Sequence, residues 1–250
     1  MKAKIIAVAN HKGGVGKTAS VASMGAILAS RGRRTLIVDL DTQANLTRHF
    51  IDSIPERIIY HAIRERKDLP VYGLRENLDI VPSGLDMAGI EVEMTSMKRR
   101  ENILSDLLKT VRTEYDVILL DCPPSLGLVT LNALTAADSL VVPMRTDLMS
   151  TYGLTMMVNF CNDIQDLNQI GIDLIFFNGY EKGQKMTDAV EQDIRSQYGA
   201  LVADTVVRKN NDIAKAAFEF TDIVSAYPAS NGAQDFQALV DEMKTRGLFD

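Results

Sequence analysis

Residues 5–18 join an apolar run to a cluster of glycines and then to a helix-patterned stretch. The run at residues 5–9 is followed by glycines at positions 13, 14 and 16, and then by Lys17 and Thr18. In a strand, glycine-rich turn and helix of this kind, backbone N–H groups, a helix N-terminus and a lysine ammonium can surround phosphate oxygens. The sequence therefore predicts a phosphate-binding turn between a buried strand and a helix.

Further apolar runs of strand length alternate with helix-patterned stretches. Most runs are continuous, which is typical of strands buried on both faces of a parallel sheet. We predict strands at residues 5–9, 35–38, 78–81, 117–120, 139–142, 174–177 and 202–207, and helices at residues 17–31, 84–112, 126–136, 151–164, 185–197 and 234–244. This alternation predicts an α/β fold with a doubly wound, mostly parallel sheet flanked by helices. We expect residues 1–250 to form a single domain, and residues 41–67 give the least certain prediction.

The composition argues against several other classes of protein. The 250 residues include 27 Lys and Arg, 33 Asp and Glu and two cysteines, and the net charge is −6. The apolar runs are much shorter than the ~20 residues that span a bilayer, and the first ten residues lead directly into the glycine motif, so we expect neither a membrane span nor a signal peptide. Two cysteines are too few for a disulfide framework. The negative charge argues against a general nucleic-acid coat but allows a local basic patch.

Three motifs carry a family resemblance. Residues 12–18, Lys-Gly-Gly-Val-Gly-Lys-Thr, resemble the deviant Walker A motif of the ParA/MinD group of P-loop ATPases, in which the early lysine is the signature residue. Residues 38–46 are similar to the second acidic motif of that group, and residues 118–125 to its Walker B motif and following switch. Residues 82–89, and residues 142–143 running on to Gly153, look like the ParA branch. Thr42 and Ala44 depart from the Pro and Gly of many relatives.

The resemblance implies a site for ATP and Mg²⁺. The nucleotide contacts that it implies in the loop are Lys12, Gly13, Gly14, Val15, Gly16, Lys17, Thr18 and Ala19. The Mg²⁺ site would involve Thr18, Asp39 and Asp121, because each carboxylate ends a predicted strand beside the phosphates. Asp39 can also cap the helix that follows it.

Three residues are candidates for catalysis. Lys17 would supply positive charge to the phosphates, and by resemblance Asp41 would orient or activate the attacking water. By the same resemblance, Lys12 would cross a two-fold interface and neutralise phosphate charge in the partner's site. The alternative for Lys12 is a solvated loop lysine.

Residues of the C-terminal third are assigned on weaker signals. Asn178 matches the position at which the family presents an Asn to adenine, although an Asn after a strand is also a common turn residue. Lys209 lies in the stretch 207–213, where the family has a base-contacting and DNA-approaching loop. Arg195, Arg208 and Lys209 are candidate DNA contacts, but acidic residues are interspersed among them, and a solvated mixed surface is the default for such a pattern.

The resemblance implies a Mg²⁺-dependent ATPase that positions or segregates DNA. ATP would hold two copies in a sandwich dimer that binds DNA non-specifically, and a ParB-like partner or other adaptor would stimulate slow hydrolysis. The cargo would be a plasmid, chromosome or conjugative element, and the protein would be cytoplasmic, nucleoid-associated in its ATP state and without stable membrane association. One alternative is a MinD-like membrane-positioning ATPase, for which residues 239–250 make a poor anchor. The other is a metabolic P-loop enzyme such as an ATP-dependent amidase or ligase.

Overall fold

The structure is a computed structural model that describes residues 2–249. Within these residues the strands are β1 (Lys4–Val8), β2 (Thr35–Asp39), β3 (Tyr72–Arg75), β4 (Leu78–Val81), β5 (Val117–Asp121), β6 (Ser139–Met144), β7 (Ile172–Tyr180) and β8 (Val207–Arg208). They form one sheet in the order β3-β4-β2-β5-β1-β6-β7-β8. All neighbours pair in parallel except β3, which is antiparallel to β4.

Helices cover both faces of the sheet. They are α1 (Lys17–Ser30), α2 (Asn45–Phe50), α3 (Ile59–Glu65), α4 (Ile90–Thr95), α5 (Ile103–Val111), α6 (Leu128–Ala136), α7 (Leu148–Asp163), α8 (Lys185–Tyr198), α9 (Asp212–Phe218), α10 (Ile223–Ala226) and α11 (Asn231–Thr245). Turns of 3₁₀ helix occur at Leu85–Gly89, Arg100–Asn102 and Gly199–Leu201. Among the helices of residues 2–249, none is both long enough and apolar enough to cross a bilayer.

The continuous apolar strands feed two cores. Ile5 and Ala7 of β1 pack into the core beneath α3 to α8, whereas Ile6 and Val8 pack into the core shared with α1, α2 and α9 to α11. Because neighbouring residues of a strand point to opposite faces, a strand covered on both sides must be apolar throughout. The fold class predicted from the sequence is confirmed.

One predicted helix is wrong. Residues 84–112 do not form a single helix, since α4 ends at Thr95 and α5 begins only at Ile103. At the end of α4 the Thr95 and Ser96 hydroxyls donate to the carbonyls of Val92 and Glu93, at 2.6 and 3.0 Å. Such bonds compete with helix propagation. Arg99 then takes a left-handed backbone conformation, with φ of 50°, which a helix cannot contain.

The sheet edges also differ from the prediction. The strand predicted at residues 202–207 is reduced to a single bridge at Val202 and the two residues of β8. The edge strand β3, which contains Gly73 and an irregular register, lay outside every predicted strand. Residues 41–67 contain α2 and α3, joined by loops.

Candidate active site

The predicted site residues converge at the carboxyl ends of the central strands. The crossover from β1 leads to β2 on one side of it, whereas the crossover from β5 leads past β1 to β6 on the other side. Such a switch point opens a crevice above the sheet. Asp39 and Asp121 are register partners on β2 and β5, and Val8 pairs with Asp121. A cavity of about 630 Å³ opens beside them.

The glycine loop between β1 and α1 forms one wall of this cavity. Gly14 and Gly16 have positive φ values of 73° and 90°, which L side chains rarely adopt. A Cβ on Gly16 would lie 1.8 Å from Nδ2 of Asn178. That Asn178 amide nitrogen donates to the Val15 carbonyl at 2.8 Å, so the end of β7 holds the loop in place. The absence of a side chain at Gly16 therefore allows both the turn and the close approach of Asn178 on β7.

Lys17 enters the cavity from the first turn of α1. Its side chain is 7% exposed, and its Nζ donates to the Lys12 carbonyl at 3.2 Å. Burial lowers the pKa of this ammonium, while the negative charge of Asp121 opposes the shift. The arrangement places a desolvated cation beside backbone N–H groups, and an anion such as a phosphate would pair with it favourably.

Asp121 is a buried carboxylate to which no group among residues 2–249 donates a hydrogen bond. It is 1% exposed, and within residues 2–249 no hydrogen bond reaches either carboxylate oxygen. Burial and then the nearby Asp39 raise its pKa well above the usual value, partly opposed by Thr18 and Lys17. An orphaned carboxylate beside a threonine hydroxyl is an oxygen donor set that Mg²⁺ accepts. The residues therefore fit the implied metal.

The metal would not occupy an all-protein cage. Among residues 2–249, no group of three or more His, Cys, Asp or Glu side chains is arranged to hold an ion. Mg²⁺ commonly keeps several waters and is held by one or two carboxylates together with substrate phosphates. Thr18 and Asp121 match that mode of binding.

The carboxylate of Asp39 is hydrogen-bonded to the loop that follows it and to the start of α2. Its Oδ2 accepts from the backbone N–H and the hydroxyl of Thr47, at 2.8 and 2.7 Å, and its Oδ1 accepts from the Asp41 N–H at 3.0 Å. Burial raises the pKa of Asp39 to about 6, against the opposing effect of these hydrogen bonds. The contacts match the alternative in which Asp39 supports the loop and the start of α2.

Asp41 is partly exposed on the cavity wall, on a loop that is fixed from two sides. Its carbonyl accepts from the Ser83 hydroxyl at 2.7 Å, and the Ser83 N–H donates to the Thr47 hydroxyl at 2.8 Å. Asp39, Thr47 and Ser83 thus hold the Asp41 backbone. Ala44, in place of the Gly of many relatives, closes this loop with a positive φ of 52°.

Lys12 is directed away from the cavity. Its Nζ donates to both carboxylate oxygens of Asp147, at 2.6 and 2.7 Å, and to the Ser150 hydroxyl at 3.1 Å. Asp147 also caps α7 by accepting from the Ser150 N–H at 2.9 Å. Burial alone would raise the pKa of Asp147, but Lys12 and Ser150 more than offset this and hold it below its usual value. The side chains of Lys12 and Asp147 are 26% and 38% exposed, so the ion pair lies at the rim.

The structure brings most of the predicted nucleotide contacts into one cavity. The residues assigned from the sequence that line this cavity are Gly13, Gly14, Val15, Gly16, Lys17, Thr18, Ala19, Asp41, Asn178, Arg208 and Lys209. Additional lining residues include Gln43, Asn45, His49, Pro124, Arg145 and Ile213, which sequence reasoning did not identify. Asp147 and Ser83 were also missed. Asp147 carries the signal of an N-cap residue, but nothing local in the sequence connects it with Lys12.

The three candidate DNA contacts are all paired with carboxylates. Arg195 donates to Glu191 at 2.8 Å, and the Arg208 guanidinium makes three bonds to Asp235, at 2.7, 2.8 and 3.2 Å. Lys209 lies 3.3 Å from Glu181. These cations would have to exchange a carboxylate for a phosphate, so the geometry does not present them as free charges.

Comparison with known proteins identifies the family. Residues 3–174 match the model of a family described as an AAA domain. The sporulation initiation inhibitor protein Soj of Bacillus subtilis is 34% identical over 251 residues, which cover 98% of this chain and 99% of that protein. The chain belongs to the ParA/Soj family of P-loop ATPases. The resemblance and the enzyme class predicted from the motifs are therefore confirmed.

Another relative and one solved structure are similar along nearly the whole chain. The chromosome-partitioning ATPase Soj of Treponema pallidum is 32% identical, with 97% of this chain and 98% of that protein covered. A crystal structure of cobyrinic acid a,c-diamide synthase from Mycobacterium smegmatis, with bound ATP analog and magnesium, has a TM-score of 0.84 and 27% identity. It covers 98% of this chain and 96% of that one.

Proposed function

We propose that this ParA/Soj-family ATPase uses ATP to pair with a second copy of itself and that the pair binds DNA. Hydrolysis, stimulated by a ParB-like adaptor, then releases the pair, and repeated cycles position or segregate a DNA cargo. The observation that carries the proposal is the location of Lys12. The cavity already contains Lys17, whereas Lys12 projects from the rim toward the N-terminus of α7. This placement outside the cavity supports a role for Lys12 at the nucleotide of a second subunit.

The residues of the cavity support the nucleotide-binding part of the proposal. The N–H groups of the glycine loop and the start of α1 would hold the phosphates, and Lys17 would neutralise their charge. Thr18 and Asp121 would hold Mg²⁺, which supplies charge stabilisation to phosphoryl transfer when bound. Asp41, on its braced loop, would orient the attacking water. Asn178 would present its edge to the base while it continues to hold Val15.

Lys12 can act between subunits because its ion pair is weak. A partly exposed Lys–Asp pair is worth about 0.2–1 kcal/mol, so a phosphate of higher charge can displace Asp147. In a two-fold pair each copy would contribute one Lys12 to the other's site. ATP would then bridge both subunits, and its hydrolysis would remove the phosphate that attracts Lys12.

The structure gives no support to the MinD-like alternative. A membrane-anchoring helix at the C-terminal end would need an available apolar face. In α11, however, Phe236, Leu239 and Val240 are buried in the core, and Leu248 and Phe249 beyond it are also buried. Arg31, directly after α1, donates to Asp241 of α11 at 2.7 Å, which also holds α11 against the rest of the fold. The helix serves the fold.

Sedimentation with ATP or ADP, followed by DNA binding, tests the proposal. We expect the wild-type protein to form dimers with ATP, to remain monomeric with ADP, and to shift plasmid DNA only with ATP at low salt. Lys12→Ala should bind nucleotide but neither dimerise nor hydrolyse it. The proposal fails if Lys12→Ala dimerises with ATP as the wild type does, or if the ATP-loaded wild-type protein does not bind DNA. Hydrolysis that responds to a small acid instead of DNA and an adaptor would indicate a metabolic enzyme.

A further inference from the structure

A second cavity shares a wall with the nucleotide cavity. Its volume is about 290 Å³, and it lies between the Asp41 loop and residues 123–125, which follow Asp121. Asp41, Gln43 and Pro124 line both cavities and therefore form the partition between them. A group that holds the far side of this partition also constrains where Asp41 stands relative to a bound nucleotide.

A further side of the second cavity comes from the 83–91 segment. This segment runs from just after β4 through a 3₁₀ turn into the first turn of α4. At its beginning, the Ser83 hydroxyl donates to the Asp41 carbonyl at 2.7 Å. At its end, Glu91 lines the second cavity. The segment therefore contacts the Asp41 loop at one end and places a carboxylate in the cavity wall at the other.

The carboxylate of Glu91 holds the start of α6. Its Oε1 accepts from the Val129 N–H at 3.1 Å, across 38 positions of the sequence. α6 begins at Leu128 after Gly127, which has no side chain with which to cap the helix. The first N–H groups of a helix lack intrahelical partners, and a negative charge beside them is favourable. Glu91 therefore caps α6 from another helix.

The absence of a side chain at Gly127 makes room for this carboxylate. A Cβ at Gly127 would lie 2.2 and 2.5 Å from the two carboxylate oxygens of Glu91 and 2.7 Å from the carboxylate carbon. The φ of Gly127 is −93°, a value that L residues adopt without strain. An added methyl group would therefore displace the end of the Glu91 side chain and leave the backbone in place.

The start of α6 in turn holds the residues that follow Asp121. The Thr130 hydroxyl, in the first turn of α6, donates to the Ser125 carbonyl at 2.5 Å. Ser125 and Pro124 line the second cavity, and Pro124 belongs to the partition. Glu91 is thus connected to the partition through the first turn of α6, as Ser83 is connected to it through the Asp41 carbonyl.

From these contacts we infer that Glu91 is a positioning residue for ATP hydrolysis. With Ser83, it holds the Asp41 loop and the 123–125 segment at a fixed separation, so that Asp41 can orient the attacking water. The inference rests on the proposed role of Asp41. Among residues 2–249, those that line the nucleotide cavity do not include Glu91. Its loss therefore affects the reaction and not the binding of ATP.

Steady-state ATP hydrolysis with Mg²⁺ tests this role. Glu91→Ala should lower kcat about 10- to 100-fold, because small displacements of reacting groups reduce rates steeply, and should change KM less than about threefold. Glu91→Gln keeps an oxygen that can accept from the Val129 N–H, so it should retain at least about a third of the wild-type kcat. Sedimentation with ATP should match the wild type for both variants.

Glu93→Ala is the matched control on the same helix. It removes the same charge from α4, but Glu93 accepts from the Tyr60 hydroxyl at 2.9 Å and contributes no cap to α6. We expect this variant to hydrolyse ATP with the wild-type kcat and KM. A loss of kcat equal to that of Glu91→Ala would show that the charge of α4, rather than the cap, sets the rate, and would overturn the inference.

Gly127→Ala gives an independent test, because it displaces the Glu91 carboxylate without removing it. It should lower kcat as Glu91→Ala does, with KM again unchanged. In the double variant, Glu91→Ala/Gly127→Ala, the added methyl group no longer meets a carboxylate. The double variant should therefore be about as slow as either single variant, since substitutions that remove one shared contact are not additive. Effects on kcat that multiply in the double variant would overturn the inference.

Asp41→Ala, assayed beside these variants, separates the inference from the function on which it rests. An inactive Asp41→Ala together with a Glu91→Ala of wild-type kcat overturns the inference alone and leaves the proposed function standing. An Asp41→Ala that hydrolyses ATP as the wild type does overturns the proposed role of Asp41 and the inference with it. If Glu91→Ala melts below the assay temperature, Gly127→Ala decides, and a wild-type kcat in that variant overturns the inference.

Discussion

Replacing Asp147 by Asn should strengthen ATP-dependent dimerisation. Asp147 holds the Lys12 ammonium through two bonds of 2.6 and 2.7 Å, and the same side chain caps α7 through the Ser150 N–H. Asparagine caps a helix about as well as aspartate, so Asp147→Asn removes the charge and keeps the cap. Lys12 then loses its competing anion. If Lys12 must leave Asp147 to reach the partner's nucleotide, this substitution favours the dimer.

The expected size of the effect follows from the exposure of the pair. With side chains 26% and 38% exposed, Lys12 and Asp147 form a rim ion pair worth about 0.2–1 kcal/mol. Two such pairs break when two subunits associate, so Asp147→Asn removes about 0.4–2 kcal/mol of opposition to dimerisation. The dimer dissociation constant should fall by roughly 2- to 30-fold. The melting temperature of the monomer should fall by no more than ~4 °C.

Analytical ultracentrifugation measures this constant with ATP and Mg²⁺ in an Asp41→Ala background, where the dimer accumulates. Ser150→Ala is the matched control, because it removes a neutral partner of Lys12 and leaves the carboxylate. Lys12→Ala/Asp147→Asn should remain monomeric. An Asp147→Asn protein whose dimer is no tighter than that of its parent would show that the Lys12–Asp147 pair does not oppose assembly.

Three further perturbations test the active-site geometry. Gly16→Ala places a Cβ 1.8 Å from the Asn178 amide at a φ of 90°; it should lower stability by about 2 kcal/mol and weaken binding of a fluorescent ATP analogue, and unchanged binding in a titration would contradict the tight loop. Asp121→Asn replaces a buried carboxyl group whose ionised form is disfavoured by burial and by Asp39, so the nucleotide-free protein should gain ~1–3 kcal/mol in urea unfolding while Mg²⁺-dependent hydrolysis is lost; a less stable variant would contradict this cost of the carboxyl group. The pKa of Asp39 is raised from 3.8 to about 6, so its favourable contribution to stability is complete below the lower value and is lost as the pH rises through the higher one. Urea unfolding at several pH values should show wild-type stability falling across this window relative to Asp39→Asn, and parallel profiles would exclude the shift.

The sequence allowed the sheet and the phosphate loop to be predicted because their signals are local. A strand buried on both faces has to be apolar at successive positions, and the turn at Gly14 and Gly16 needs positive φ values. Asp39 and Asp121 could be placed at strand ends because each follows such an apolar run. The edge strand β3 and the break between α4 and α5 were missed, since short polar segments carry little periodicity.

The contacts that set the state of the site are long-range. Lys12 meets Asp147 across 135 positions, and Asn178 meets the Val15 carbonyl across 163. Glu91 meets the Val129 N–H across 38 positions, which no charge pattern in the sequence indicates. Each pairing depends on how crossovers return the chain to the sheet, and only the folded arrangement reveals it.

Mixing two inactive variants tests most directly whether Lys12 acts on the partner's nucleotide. Lys12→Ala subunits retain Asp41, and Asp41→Ala subunits retain Lys12. In a mixed dimer with action between subunits, one of the two sites has both residues, so an equimolar mixture should recover ATPase activity. Random pairing sets an upper bound of about a quarter of the wild-type value, and the loss of one Lys12 contact from each mixed dimer lowers it further. If Lys12 acts on its own nucleotide, every site lacks one residue, and the mixture should be as inactive as either variant alone.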